Sequence, residues 1–294
     1  MSLADEVAAA AARVREKVPL VHNITNYVTV NDVANAELAC GASPVMADDV
    51  REVADMVRAA DAVNINIGTL NARTVESMHE AARAAAEMGT PIVFDPVGAG
   101  ASGLRDETTR EFLARVRPTC IRGNISEMAF VAGLAAKTRG VDAGEVEGAA
   151  APERIAAQVA RAHGCVCAVT GAIDVVSDGE HALVVENGDA AMGKITGTGC
   201  MCDGLIAAFL GAAGIGGDVH GKAGGGVQGA DEHAALVACA AAVCSMGLAG
   251  ELARRDLEDM GALVGTGSLR VGIIDRLSLL SGDDYRRCAR IGRV

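Results

Sequence analysis

Three short stretches, 194–200, 95–100 and 122–127, carry residue types suited to chemistry on anions. The loop Thr196-Gly197-Thr198-Gly199 precedes Cys200 and an apolar helical run over 201–209. Glycines there let several backbone N–H groups point one way, and the helix behind adds roughly half a positive charge at its tip. Asp95, at the head of "DPVGAG", and Glu127, in "NISE", are oxygen ligands of the kind Mg²⁺ takes. That ion is held by one or two carboxylates, with phosphate oxygens and water completing its shell. Arg122 and Lys194 can oppose phosphate charge. A helix tip, magnesium carboxylates and basic groups are the parts that phosphoryl transfer requires.

These residues must be brought together by the elements between them. Short apolar runs at 19–23, 43–46, 62–67, 91–95, 119–122, 165–170, 173–177 and 181–186 read as strands. Helical patterns occupy 3–17, 30–39, 49–59, 71–88, 105–116, 125–135, 152–163, 199–210, 233–254 and 268–280. This alternation predicts an α/β fold: a mostly parallel central sheet with helices on both faces. Asp178-Gly179 between two β-rich runs signals a hairpin, hence an antiparallel edge. In such sheets ligands gather beyond the carboxyl ends of the strands. The residues just past those ends are Gly68-Thr69, Asp95-Pro96, Arg122-Gly123-Asn124 and Thr170-Gly171. All of them fall on one rim.

Other motifs fail on context. Gly98 to Gly103 spells G-x-G-x-x-G, but the next strand ends in Arg122-Gly123-Asn124 where a dinucleotide site wants an acid for the ribose. Two G-x-x-x-x-G-K matches, at 188–194 and 216–222, are followed by Ile195 and Ala223 instead of the Ser or Thr that magnesium needs. Net charge is −12, with no Trp, two Tyr and four Phe. A nucleic-acid binder wants a basic stripe and stacking aromatics, so that class is excluded. The nine cysteines lie mostly in apolar runs, as buried thiols of a cytoplasmic protein do. No secretory leader is visible, and the uncharged stretch 234–250 is shorter than the ~20 residues a membrane span needs. It reads as a buried or subunit-interface helix. Residues 211–230 hold nine glycines in twenty positions and read as a flexible insertion within one domain spanning 1–294.

"NxxE" at 124–127, "DPVGAG", "VTGA" and a G-T-G loop opening a helix resemble the ribokinase-like superfamily. More narrowly, "VHNITNYVTVNDVANAELACGASPVMADD", "INIGTL", "PIVFDPVGAGAS", "RGNISEM", "VTGAIDVVSDG" and "KITGTGCMCDGLIAAF" resemble hydroxyethylthiazole kinases. The resemblance runs from about 19 to 210 and resumes near 235–255. It implies ATP and Mg²⁺ as co-substrate and cofactor, and phosphorylation of 4-methyl-5-(2-hydroxyethyl)thiazole in thiamine salvage. It also implies a homotrimer with the thiazole pocket between subunits. Position by position, it implies that Met46 and Asn26 face the substrate and that Gly197 lies near its alcohol. Arg122 and Thr170, with Asn124 and Lys194 beside them, fall on the nucleotide side. Asp95 and Glu127 are the magnesium and phosphate-side acids. The long 211–230 segment departs from the family pattern.

Two readings of Cys200 stand. Many ribokinase-like sugar kinases resemble one another in having a catalytic aspartate there, and by that resemblance Cys200 stands in the catalytic position with Gly197, Thr198 and Gly199. A helix tip lowers a thiol pKa, which makes some thiolate plausible. The other reading is a small residue filling the helix start. Asp203, one turn on, is expected to point away from the loop and to bond structurally. His22, among apolar strand residues, reads as a neutral core histidine. His220 and His233 read as solvated. Two further activities of the same fold stay open: a hydroxymethylpyrimidine-type kinase and a nucleotide-dependent hydrate dehydratase.

Overall fold

The computed structural model describes residues 1–134, 151–215 and 230–294. Nine strands form one sheet: β1 (Leu20–Ile24), β2 (Ser43–Val45), β3 (Ala62–Asn66), β4 (Ile92–Asp95), β5 (Cys120–Asn124), β6 (Val166–Thr170), β7 (Asp174–Ser177), β8 (Ala182–Val185) and β9 (Ile291–Arg293). Their order is β2-β1-β3-β4-β5-β6-β7-β8-β9. Neighbours from β2 to β6 pair in parallel; β6 to β9 pair antiparallel. The expected α/β architecture with its antiparallel edge is present.

Side-chain alternation divides the core in two. Val21, Ala62, Val93, Cys120 and Val166 belong to one apolar cluster, while Val63, Ile65, Phe94, Ile121 and Cys167 belong to the other. Strand period two sends these sets to opposite faces. The helices are α1 (Leu3–Lys17), α2 (Val30–Cys40), α3 (Val53–Ala59), α4 (Ala72–Met88), α5 (Gly103–Arg115), α6 (Ile125–Val131), α7 (Pro152–His163), α8 (Thr198–Ala213), α9 (Ala230–Asp259), α10 (Thr266–Leu279) and α11 (Gly282–Cys288). Buried residues of α1, α2, α8, α9 and α10 join the first cluster; those of α3, α4, α6 and α7 join the second. Continuing the alternation to the strand ends places Asn23, Asn66, Asp95, Arg122 and Thr170 on the α8 face.

Local chemistry accounts for most boundaries. Ser2 with Asp5, and Asn71 with Thr74, close reciprocal caps at the starts of α1 and α4. The helix expected over 49–59 starts only at Val53, because the Asp49 side chain accepts the Arg51 N–H and makes a turn instead. The helix expected over 125–135 stops at Val131, two residues before Gly133 at φ +74°. The hairpin forms at Asp178-Gly179, with Gly179 at φ +100°. Neither α11 nor β9 was expected. Of the proposed insertion, 211–213 complete α8 and 216–229, His220 among them, lie outside the described residues.

The stretch 234–250 is the middle of α9. Glu232–Asp259 is apolar enough and long enough to cross a bilayer, and its most apolar window is 94% buried inside the protein. It packs against α1, α8 and α10.

Candidate active site

Gly197 takes φ +91° and caps α8, a backbone state that favours glycine. A Cβ there would lie 2.7 Å from Thr29 Cγ2. Gly199, one residue into the helix, sits directly on the Arg122 guanidinium: a Cβ would lie 2.5 Å from Nη1. The glycines therefore let the tip of α8 descend onto the carboxyl ends of the strands.

Beneath that tip lies a charged cluster. Arg122 Nη1 donates to Asp95 Oδ2 at 3.2 Å and stands 3.6 Å from Asp203 Oδ1; Nη2 donates to Thr170 Oγ1 at 2.7 Å. Asp95 is 1% exposed and Asp203 0%. Burial, then the neighbouring Asp203 charge, holds the Asp95 carboxyl well above the usual carboxylate range, against the pull of Arg122. Burial raises Asp203 likewise, with Arg122 opposing. Burial works against the Arg122 charge, but its two aspartates outweigh that and hold the guanidinium protonated. The Asp95 Oδ1 and Arg122 Nε atoms are buried without a hydrogen-bond partner.

Glu127 and Asn124 form a capping box at the start of α6. Asn124 Oδ1 accepts the N–H groups of Ser126 and Glu127, both at 3.0 Å. The Glu127 oxygens accept Gly98 N–H at 2.7 Å and Asn124 N–H at 2.8 Å. Burial, with the Asp95 charge, pushes its pKa to about 7.

On the other side of α8, Asn26 Nδ2 donates to Cys200 Sγ at 3.0 Å and to Asn66 Oδ1 at 3.3 Å. Its Oδ1 accepts the Thr29 hydroxyl at 3.0 Å. Burial, and then the Asp203 and Asp95 charges, raise the Cys200 thiol to about 11. The expected thiolate is thus corrected: burial among carboxylates outweighs the helix tip, and the thiol is neutral at pH 7. Asp203 is corrected too. It does not point away but faces the cluster, accepting Asn66 Nδ2 at 3.0 Å.

The structure therefore brings together Asn26, Asp95, Arg122, Thr170, Gly197, Thr198, Gly199 and Cys200, with Glu127 and Asn124 behind Asp95. Lys194 stands exposed at the end of the 3₁₀ turn Ala190–Lys194, with no contact to the cluster among the described interactions. Met46 lies just past β2, partly exposed. Its neighbour Ala47 is held through its carbonyl to His22 Nε2 at 2.9 Å; His22 is fully buried, and burial lowers its pKa, as expected. His233 is exposed beside Glu6. Asn66 is a member that sequence reading missed, and Asp203 one that it turned the wrong way. The alternation Asn64-Ile65-Asn66 in a strand otherwise apolar was the available signal.

A cavity of about 550 Å³ opens from Arg122, Thr170 and Gly199 toward Asp174, Gly188 and Met246. A groove of about 600 Å³ between α9 and α10 contains none of the charged cluster. The cavity, the helix tip and the guanidinium together offer N–H donors and positive charge to an anion.

Residues 11–283 match the sequence profile of the hydroxyethylthiazole kinase family. The hydroxyethylthiazole kinase of Clostridium beijerinckii is 43% identical over 284 residues, covering 96% of this chain and 95% of that one. The solved hydroxyethylthiazole kinase structure from Pyrococcus horikoshii superposes with a TM-score of 0.81 at 37% identity, covering 98% of both chains. A ribokinase-like superfamily protein from Enterococcus faecalis shares the fold, with a TM-score of 0.58 at 14% identity over 91% of this chain and 89% of that one. With a profile match across nearly its whole length and relatives above 40% identity, the chain belongs to the hydroxyethylthiazole kinase family.

Proposed function

We propose that this chain transfers the terminal phosphoryl group of ATP to the hydroxyethyl alcohol of 4-methyl-5-(2-hydroxyethyl)thiazole. The observation that carries the reading is the seating of the α8 tip on Arg122, with Asp95 on one side and the Asn26–Cys200 contact on the other. Phosphates in the 550 Å³ cavity would meet the helix N–H groups and Arg122, and Thr170 orients that guanidinium. The alcohol would approach from the Asn26 and Cys200 side, toward Met46. Transfer passes through a loose transition state, so positioning and charge neutralisation supply most of the rate gain.

Among the described residues no group of three or more His, Cys, Asp or Glu forms a metal-binding set. The donor set still fits an ion that arrives with the nucleotide. Asp95 Oδ1 is an unpartnered buried carboxylate oxygen, and Mg²⁺ takes few protein ligands beside phosphate and water. Asp95 would hold it, with Glu127 behind, and the ion would supply charge neutralisation at the phosphates.

Tyr27 and Val28, next in the chain to Asn26, are exposed, as is Met46. Exposed apolar side chains next to the Asn26–Cys200 contact suit a subunit contact, in line with a homotrimer whose thiazole site lies between copies. Nine free thiols, eight of them buried, suit a reducing cytoplasm. We read 1–294 as one kinase domain acting on small molecules, without nucleic-acid or membrane partners.

A coupled ADP-release assay tests the reading. Turnover is expected with the thiazole alcohol and Mg²⁺, and loss of it on adding EDTA. ADP release with hydroxymethylpyrimidine but not with the thiazole would replace this activity by the other vitamin kinase.

Because its thiol is neutral, Cys200 is an auxiliary group. Proton removal by a positioned base is worth about 10²–10⁴-fold at most. Cys200→Ala should keep measurable turnover, with kcat down by about 10-fold to 10²-fold, and Cys200→Asp should remain active. Steady-state kinetics check this: complete loss in a folded Cys200→Ala protein would make the thiol essential.

A further inference from the structure

Strand β3 alternates apolar and amide side chains, and strand geometry puts Asn64 and Asn66 on one face. Both are fully buried on the α8 side of the sheet. A buried carboxamide is costly unless its polar atoms find partners. Asn66 uses both ends. Its Oδ1 accepts Gly68 N–H at 2.9 Å and Asn26 Nδ2 at 3.3 Å. A backbone N–H can only donate, so the Gly68 contact fixes which end of the amide is oxygen. The Nδ2 end then faces three acceptors: Asp203 Oδ2 at 3.0 Å, Asp95 Oδ2 at 3.1 Å and Cys200 Sγ at 3.4 Å. Two N–H bonds serve three atoms, so a shift of any one disturbs the others.

We propose that Asn66 is a positioning residue for the transfer. Its carboxamide locks the phosphate-side acid Asp95 to the acceptor-side pair Asn26 and Cys200. The inference rests on the kinase reading above. The surroundings leave the amide little freedom. A Cβ at Gly68 would lie 2.7 Å from Asn26 Nδ2 and 2.9 Å from Asn66 Oδ1, so backbone closes over the paired amides. An apolar side chain at 66 would strip Asp203 and Asp95 of a donor and orphan the Gly68 N–H. An aspartate would keep the shape but add a carboxylate to a cluster that already sets Asp95, Asp203 and Glu127 against Arg122. Only an amide of this length supplies an acceptor on one end and donors on the other.

Transfer needs the reacting oxygen and phosphorus held about 3–3.5 Å apart, and a misplacement of about 1 Å costs about 10²-fold. Asn66→Ala is therefore expected to lower kcat by about 10²-fold. The KM for ATP should change by less than about threefold, because Arg122, Thr170 and the cavity lining keep their contacts. Calorimetric titration with a non-hydrolysable ATP analogue should still show about one site per chain, which separates mispositioning from misfolding. Asn66→Asp, of the same shape but without donors, should lose at least as much kcat; a residue that only fills space would be rescued by it. Retention of kcat within threefold in either variant would overturn the proposal. So would a kcat loss that merely follows the fraction of chains able to bind nucleotide. Failure of the wild-type protein to turn over the thiazole in the same assay would instead reject the kinase reading.

Discussion

Arg122→Met should lower kcat/KM by about 10³-fold or more and destabilise the protein by about 3–5 kcal/mol. Arg122 stands between Asp95 and Asp203, close to Glu127, and all three acids are buried. Each already has its pKa raised by burial, with Arg122 opposing the rise. Removing the guanidinium leaves the carboxylates to take up protons or repel one another. The cation lining the cavity disappears with it, and loss of a single preorganised donor at such a site costs about 10²–10³-fold. Arg122→Lys should recover only part of the loss. An ammonium cannot bond Asp95 through one nitrogen and Thr170 through another in a fixed fork. Steady-state kinetics with thermal denaturation decide the matter; kcat/KM within tenfold of wild type in a folded Arg122→Met protein would remove Arg122 from the site.

Gly199→Ala sets two physical effects against each other. Alanine inside a helix is favoured over glycine by roughly 0.5–1 kcal/mol, so propensity alone predicts a more stable protein. The new Cβ, however, would lie 2.5 Å from Arg122 Nη1 and 2.9 Å from Nη2. That guanidinium cannot simply swing aside, because Asp95 and Thr170 hold it. Either the α8 tip lifts or Arg122 leaves its partners. A displacement of about 1 Å at the reacting groups costs about 10²-fold, and that loss in kcat/KM is expected, with a lower melting temperature because disturbed Arg122 contacts outweigh the helical gain. Wild-type kinetics in Gly199→Ala would mean that the α8 tip does not approach the phosphates through Arg122.

Much of this was legible in the sequence, for identifiable reasons. The parallel strands announce themselves as short apolar runs between helical patterns, and β7–β8 by Asp178-Gly179. The rim residues Asp95, Arg122, Thr170 and Gly199 could be found because strand ends in a parallel sheet lie at one edge. Asp203 was misjudged by helical phase: it is four residues from Gly199, shares its face, and looks down on the strands. The Cys200 thiol was misjudged by weighing the helix tip above burial, although the deciding charges, Asp95 and Asp203, come from distant segments. Asn66 carried only the weak signal of an amide recurring at period two. Strand β9 is three residues long and has no pattern of its own; its pairing with β8 is entirely long-range.

Helix α9 has a consequence for how the chain reaches this state. By length and apolar composition the segment could span a bilayer, yet its most apolar window is 94% buried inside the protein, where the helix packs on α1, α8 and α10. What distinguishes the outcomes is timing: the segment must be wrapped by its own neighbours before something else captures it. Substitutions that loosen α10 are therefore expected to show first as lost yield and aggregation during synthesis, before any change in the catalytic constants of the molecules that mature.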